Sequence, residues 1–187
     1  QHFSEDNSML FLAGPRQSGK TTVSEMIAET YERSLYLNWD ELSHRQIILA
    51  GSSHIIELGK LHHLSDSPLL IIFDELHKYK NWKQFLKGFY DLYKNKIHIL
   101  VTGSSRLDIF KSGGDSLMGR YFLYRMHPLS VAECVTTLLP DNIIREPNEI
   151  SNNEFENLYH YGGYPKPFLK SNNHFSNRWQ QLRAELL

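Results

Sequence analysis

Short runs of apolar residues alternate along this chain with stretches in which apolar positions recur every three or four residues. Met9–Ala13, Ser34–Trp39, Leu69–Phe73, Ile97–Val101 and Tyr121–Met126 read as strands. Leu69-Leu70-Ile71-Ile72-Phe73 carries no polar position at all, the pattern of a strand covered on both faces of a parallel sheet. Between the strands, a helix is predicted from about Lys20 through about Glu32, and a second, poorly punctuated helical stretch over 41–60. Trp82, Phe85, Leu86, Phe89 and Tyr93 fall on one face of a third. Strands and helices in strict alternation predict a parallel α/β sheet with right-handed crossovers.

The strand–helix joints carry the chemistry. Between Ala13 and the first helix lies Gly-Pro-Arg-Gln-Ser-Gly-Lys-Thr, residues 14–21, a complete G-x-x-x-x-G-K-T loop. Glycines at those positions let backbone N–H groups close around a phosphate chain, Lys20 adds a point charge, and Thr21 offers a hydroxyl to Mg²⁺. A helix starting at Lys20 or Thr21 aims its positive dipole end at the same anion. Gly14, Pro15, Arg16, Gln17, Ser18, Gly19, Lys20, Thr21 and Thr22 are thus the expected nucleotide contacts.

Two later strands also end on polar residues. After Leu69–Phe73 come Asp74 and Glu75, the first expected beside Mg²⁺ and the second positioned to take a proton from an attacking water. A polar strand end capping the next turn is the competing reading. After Ile97–Val101 come Thr102, Gly103, Ser104, Ser105 and Arg106, and a small hydroxyl there would sense the γ-phosphate or align water. A helix N-cap explains the serines equally well.

In this order the motifs resemble those of an AAA-type P-loop ATPase. More narrowly, they resemble a bacterial and archaeal AAA-type family whose members usually carry a C-terminal domain of unknown function. The matching residues are Gly14–Thr22, Asp-Glu-Leu-His-Lys at 74–78, Gly103-Ser104-Ser105, Gly119-Arg120, Pro128-Leu129-Ser130 and Gly162-Gly163-Tyr164-Pro165, spanning about Met9 to Pro167. The resemblance implies a Walker A loop at 14–22, Walker B at Asp74 and Glu75, and a sensor at Thr102 or Ser104. It implies an arginine finger at Arg120 that acts on a neighbouring subunit of a homo-oligomer, with Arg106 the competing arginine. It places Pro165 near the adenine and leaves a lid arginine to Arg178 or Arg183. The implied ligands are ATP and Mg²⁺, and the implied activity is ATP hydrolysis, slow in this piece.

Composition narrows the setting. A net charge of −1 gives no drive towards nucleic acid or an anionic membrane. The longest apolar run is far too short to cross a bilayer. One cysteine, Cys134, allows no internal disulfide, so a reducing, cytoplasmic setting is expected. His62-His63 lacks a third ligand at zinc spacing, and the lysines from Lys78 to Lys96 read as the solvated face of an amphipathic helix rather than a nucleic-acid surface.

The expected organisation is an ATPase core over 1–140, an acidic, asparagine-rich connector over 141–157, and the start of a small helical lid or C-terminal subdomain over 158–187. The chain lacks an initial Met and stops inside a helical pattern, so a piece of a longer protein is expected, with any nucleic-acid or protein partner engaged through the missing part. A nucleotide-gated switch with little turnover is the alternative reading. A small-molecule kinase, with Asp40 or Glu41 as the substrate-binding acid, is a weaker one; no [N/T]-K-x-D guanine motif is present.

Overall fold

The structure, a computed structural model, describes residues 3, 8–59, 67–104, 117–136 and 148–170. They fall into two compact units, one within Gln1–Pro15 and Gly19–Met126, the other within Arg16–Ser18 and His127–Leu187.

The first unit is built on five parallel strands. They are β1 (Met9–Ala13), β2 (Ser34–Asn38), β3 (Leu69–Asp74), β4 (Ile97–Gly103) and β5 (Tyr121–Arg125). Their order across the sheet is β2-β3-β4-β1-β5. Strand β3 is buried at every position, as its unbroken apolar run requires between β2 and β4. Edge strand β5 alternates half-buried and exposed side chains over most of its length.

Side chains alternate between the two faces of the sheet. One set, including Met9, Phe11, Leu37, Ile71, Phe73, Ile99 and Val101, packs with Ile48 of α2 (Leu42–Ala50), Ile55 and Ile56 of α3 (Ser52–Leu58), and Leu86 and Phe89 of α4 (Trp82–Tyr93). The other set, centred on Leu70, Ile72 and Leu100, meets Ile27, Ala28 and the following Tyr31 of α1 (Lys20–Glu29) and its C-terminal turn. Helices on both faces of a parallel sheet make this the α/β P-loop NTPase fold that the sequence predicts.

Three elements depart from the sequence expectation. Helix α1 stops at Glu29, with the Thr30 hydroxyl donating to the Ile27 carbonyl at 2.7 Å, instead of reaching Glu32. The 41–60 stretch is two helices, because Gly51 adopts φ 99° and breaks the run. Helix α6 (Asn152–Tyr161) of the second unit begins inside the segment expected as a connector. Its start was readable: Ser151-x-x-Glu154 is a capping pattern, and the Ser151 hydroxyl accepts from the Glu154 N–H at 3.3 Å.

The second unit also contains α5 (Val131–Val135) and α7 (Pro165–Lys170). Ser130 and Glu133 form a reciprocal capping box at the start of α5, which gives Pro128-Leu129-Ser130 a local structural reason. Leu129 N–H donates to the Gly163 carbonyl at 2.6 Å, and a Cβ at Gly163 would lie 2.1 Å from the Leu129 carbonyl oxygen. Backbone meets backbone there, so neither side can yield. Gly163→Ala is expected to destabilise this unit by about 1–3 kcal/mol or more, seen as faster proteolysis after Met126 with the first unit still resistant; unchanged cleavage would refute the close approach.

Candidate functional site

The C-terminal ends of parallel strands are where such sheets bind ligands, above all where the connections diverge. Strand β1 sits between β4 and β5, its chain neighbours lie elsewhere, and the glycine-rich loop leaves its C-terminal end. Gln17 (φ 64°) and Gly19 (φ 100°) both take left-handed backbone. Gly19 is the N-cap of α1 without a side-chain capping bond, so the first N–H groups of the helix face the loop. Arg16, Gln17, Thr21 and Thr22 are exposed, while Gly14, Ser18 and Lys20 are buried. The Lys20 ammonium donates to the Gly14 carbonyl at 3.0 Å and to the Pro15 carbonyl at 2.7 Å. The lysine therefore lies folded along its own loop, a cation stored where a phosphate would be met.

Two strands away, Asp74 closes β3 and is 8% exposed. Its Oδ1 accepts from the Thr102 hydroxyl at 2.5 Å, and its Oδ2 accepts from the Tyr36 hydroxyl at 2.6 Å. Burial, and then the Asp74 carboxylate, raise the Tyr36 pKa well above the usual phenol range, so Tyr36 remains a donor at any physiological pH. Tyr36 was not legible in the sequence as a site residue, because its role depends on which strand lies beside β3.

Glu75 follows in left-handed backbone, φ 55° and ψ 21°, an uncommon conformation for a residue with a side chain. Its N–H donates to the Thr102 carbonyl at 3.0 Å, and its own carbonyl accepts from the Lys78 N–H at 3.1 Å. The Glu75 carboxylate lies 3.3 Å from the Lys78 ammonium and 3.6 Å from His77 Nε2. Ser104 Oγ is 3.5 Å from the same imidazole nitrogen. Lys78 in turn donates to Asp40 Oδ2 at 2.5 Å. Burial works against the Lys78 ammonium, but Asp40 and Glu75 outweigh it and raise its pKa. His77 lies in the 3₁₀ turn Leu76–Lys78.

Several expected site residues are thus gathered at one sheet edge: the loop with Lys20, then Asp74, Glu75, Thr102 and Ser104. The two sensor candidates differ. Thr102 is fully buried with its hydroxyl on Asp74, whereas Ser104 is partly exposed beyond the strand end. Arg120 is elsewhere. Its carbonyl accepts from Met9 N–H at the start of β1, the opposite end of that strand from the loop, roughly 13 Å away at the usual rise per residue. Its guanidinium donates to both carboxylate oxygens of Asp91 on α4, at 2.9 and 3.4 Å. Those distances remove Arg120 from the site of its own chain. Asp40 and Glu41 are engaged by Lys78 and by Ser43 and His44, respectively. Pro165 opens α7 in the second unit. Arg106, Arg178, Arg183 and His62-His63 lie outside the described residues.

Among the described residues no cluster of three or more His, Cys, Asp or Glu side chains has metal-binding geometry, and no helix is long and apolar enough to cross a membrane. The donor set at the loop, one threonine hydroxyl and one carboxylate, still fits Mg²⁺, which is commonly held by one or two protein oxygens together with water and substrate phosphates.

No curated protein matches the chain. Among solved structures, the Aeropyrum pernix ORC1 protein in complex with DNA is similar at 14% identity and a TM-score of 0.46, over 68% of this chain and 41% of that one. C. elegans PCH-2 is similar at 17% identity and a TM-score of 0.45, over 67% of this chain and 36% of that one. This chain therefore spans well under half the length of either. Residues 6–135 match the family described as AAA domain. With a phosphate loop at the switch point of a five-stranded parallel sheet and that match across most of its length, the chain belongs to the AAA domain family of P-loop ATPases.

Proposed function

We propose that this domain binds Mg-ATP at the β1 loop and hydrolyses it slowly, at a site completed by an arginine from a neighbouring copy. The reading rests above all on the convergence of the Lys20 loop, Asp74 and Glu75 at the C-terminal edge of one sheet. Lys20 releases the Gly14 and Pro15 carbonyls and turns its charge to the β- and γ-phosphates, while the α1 N-terminus and loop N–H groups hold the phosphate chain. Thr21 and Asp74 hold Mg²⁺, which supplies neutralisation of charge developing on the phosphoryl oxygens. Glu75 accepts a proton from the attacking water. Ser104, rather than Thr102, reads the γ-phosphate, since the Thr102 hydroxyl is committed to Asp74. Arg120, too far from its own loop, acts in trans. The helical part that includes α6 serves as a C-terminal lid, and partners beyond the nucleotide are engaged outside these residues.

A reducing, cytoplasmic setting is part of this reading, since the single cysteine, Cys134, allows no internal disulfide. The test is ATP turnover across a range of protein concentrations. Specific activity is expected to rise with concentration, and Lys20→Ala to fall to the blank with nucleotide binding weakened at least tenfold. Turnover by Lys20→Ala at the wild-type rate would overturn the proposal.

One observation favours a second reading, a nucleotide-gated switch with little turnover. Both groups assigned to hydrolysis are engaged: Glu75 by Lys78 and His77, Arg120 by Asp91. In that case nucleotide is retained tightly and turnover stays near the blank at every concentration.

A further inference from the structure

Asp74 is held from both neighbouring strands, and the sheet register explains how. Asp74 pairs with Thr102 on β4 and with Asn38 on β2. Thr102 is thus its direct neighbour on one side. Tyr36, two residues before Asn38, projects from the same face of β2 and reaches diagonally, as a long aromatic side chain can. Each hydroxyl takes a different carboxylate oxygen, at 2.5 and 2.6 Å. An ionised carboxylate has about four lone-pair sites, so two donors leave others open while removing rotation about the final bond. Hydrogen bonds with a charged partner are the short, strong kind that can impose such an orientation.

We infer that Tyr36 is a positioning residue for the nucleotide-bound metal: its phenol, opposite Thr102, fixes the Asp74 carboxylate in the orientation that receives Mg²⁺. The inference rests on the Mg-ATP reading above and adds a residue to it that no motif contains. Tyr36 lies on the α1 side of the sheet, packed against the Leu70, Ile72 and Leu100 cluster, so its ring is anchored in the core while its hydroxyl faces the site. That division of labour separates the two roles of the side chain. Removing the hydroxyl alone leaves the apolar anchor and frees the carboxylate.

The experiment uses the whole chain, a fluorescent non-hydrolysable ATP analogue, and titrations of MgCl₂ and MnCl₂. Tyr36→Phe is expected to keep the nucleotide affinity measured in EDTA within about twofold, with a melting temperature close to wild type. The Mg²⁺ concentration that half-saturates the metal-dependent gain in affinity should rise about tenfold, the scale of losing one hydrogen bond to a charged group. Thr102→Val should shift it in the same direction and Thr102→Ser restore it. Wild-type metal dependence in Tyr36→Phe would overturn the inference alone. An unfolded Tyr36→Phe would also overturn it, by showing that the hydroxyl serves the fold. Absence of metal-dependent nucleotide binding in the wild type would instead overturn the functional reading, and the inference with it.

Discussion

Arg120→Ala is expected to lower ATP turnover by about 10³–10⁵-fold at protein concentrations where copies associate, the range known for arginines supplied to a phosphoryl group in trans. At the N-terminal end of β1, Arg120 cannot reach its own loop, so any catalytic part it plays is on another copy. It is held meanwhile by Asp91, and because the pair lies at the surface, with Asp91 exposed and Arg120 half-buried, solvent and salt screen it. Exchange of Asp91 for a γ-phosphate is therefore an exchange of one anion for another of greater charge. Turnover should be measured at dilute and concentrated protein. Loss confined to concentrated protein supports action in trans; an unchanged rate at both leaves Arg120 as a surface ion pair and removes the shared-site reading.

Glu75→Gln is expected to lower turnover by about 10²–10⁴-fold while nucleotide binding persists, because a general base contributes on that scale to the chemical step alone. The backbone supports this assignment. Left-handed geometry at a non-glycine residue costs on the order of 1–3 kcal/mol and survives where surrounding contacts over-determine it. Here the Glu75 N–H is held by the Thr102 carbonyl of the adjacent strand, and the following 3₁₀ turn holds its carbonyl. The carboxylate meets Lys78 and His77, so it must leave the lysine to meet water. Lys78 is itself anchored by Asp40, which gives the cation a partner when Glu75 departs. Mixing Glu75→Gln with Arg120→Ala separates the two predictions: a shared site pairs a good glutamate with a good arginine at some interfaces and regains part of the activity. A mixture no more active than its components would exclude complementary sites.

Local pattern was enough to determine much of this molecule. Apolar runs with the right length and punctuation located all five described strands, most plainly β3, whose positions 69–73 are apolar and buried throughout. The 3.6-residue period located α4, whose span Trp82–Tyr93 holds all five residues of the apolar face. The positions of the glycine-rich loop, Asp74 and Glu75 at strand ends were likewise readable, because each follows its apolar run directly along one stretch of chain. Where turns compete with helix propensity, the reading slipped: Gly51 splits a helical stretch, and Ser151 starts a helix in apparent linker.

Only the tertiary structure decided the rest. Which of Thr102 and Ser104 faces solvent depends on β3 lying beside β4, and the part Tyr36 plays depends on β2 lying beside β3 in one register. Arg120 is parted from its own loop because β1 and β5 run parallel, so the residue before one strand and the loop after the other fall at opposite ends of the sheet. Contacts such as these join residues far apart along the chain. Sequence spacing carries no record of them, and strand pairing creates them.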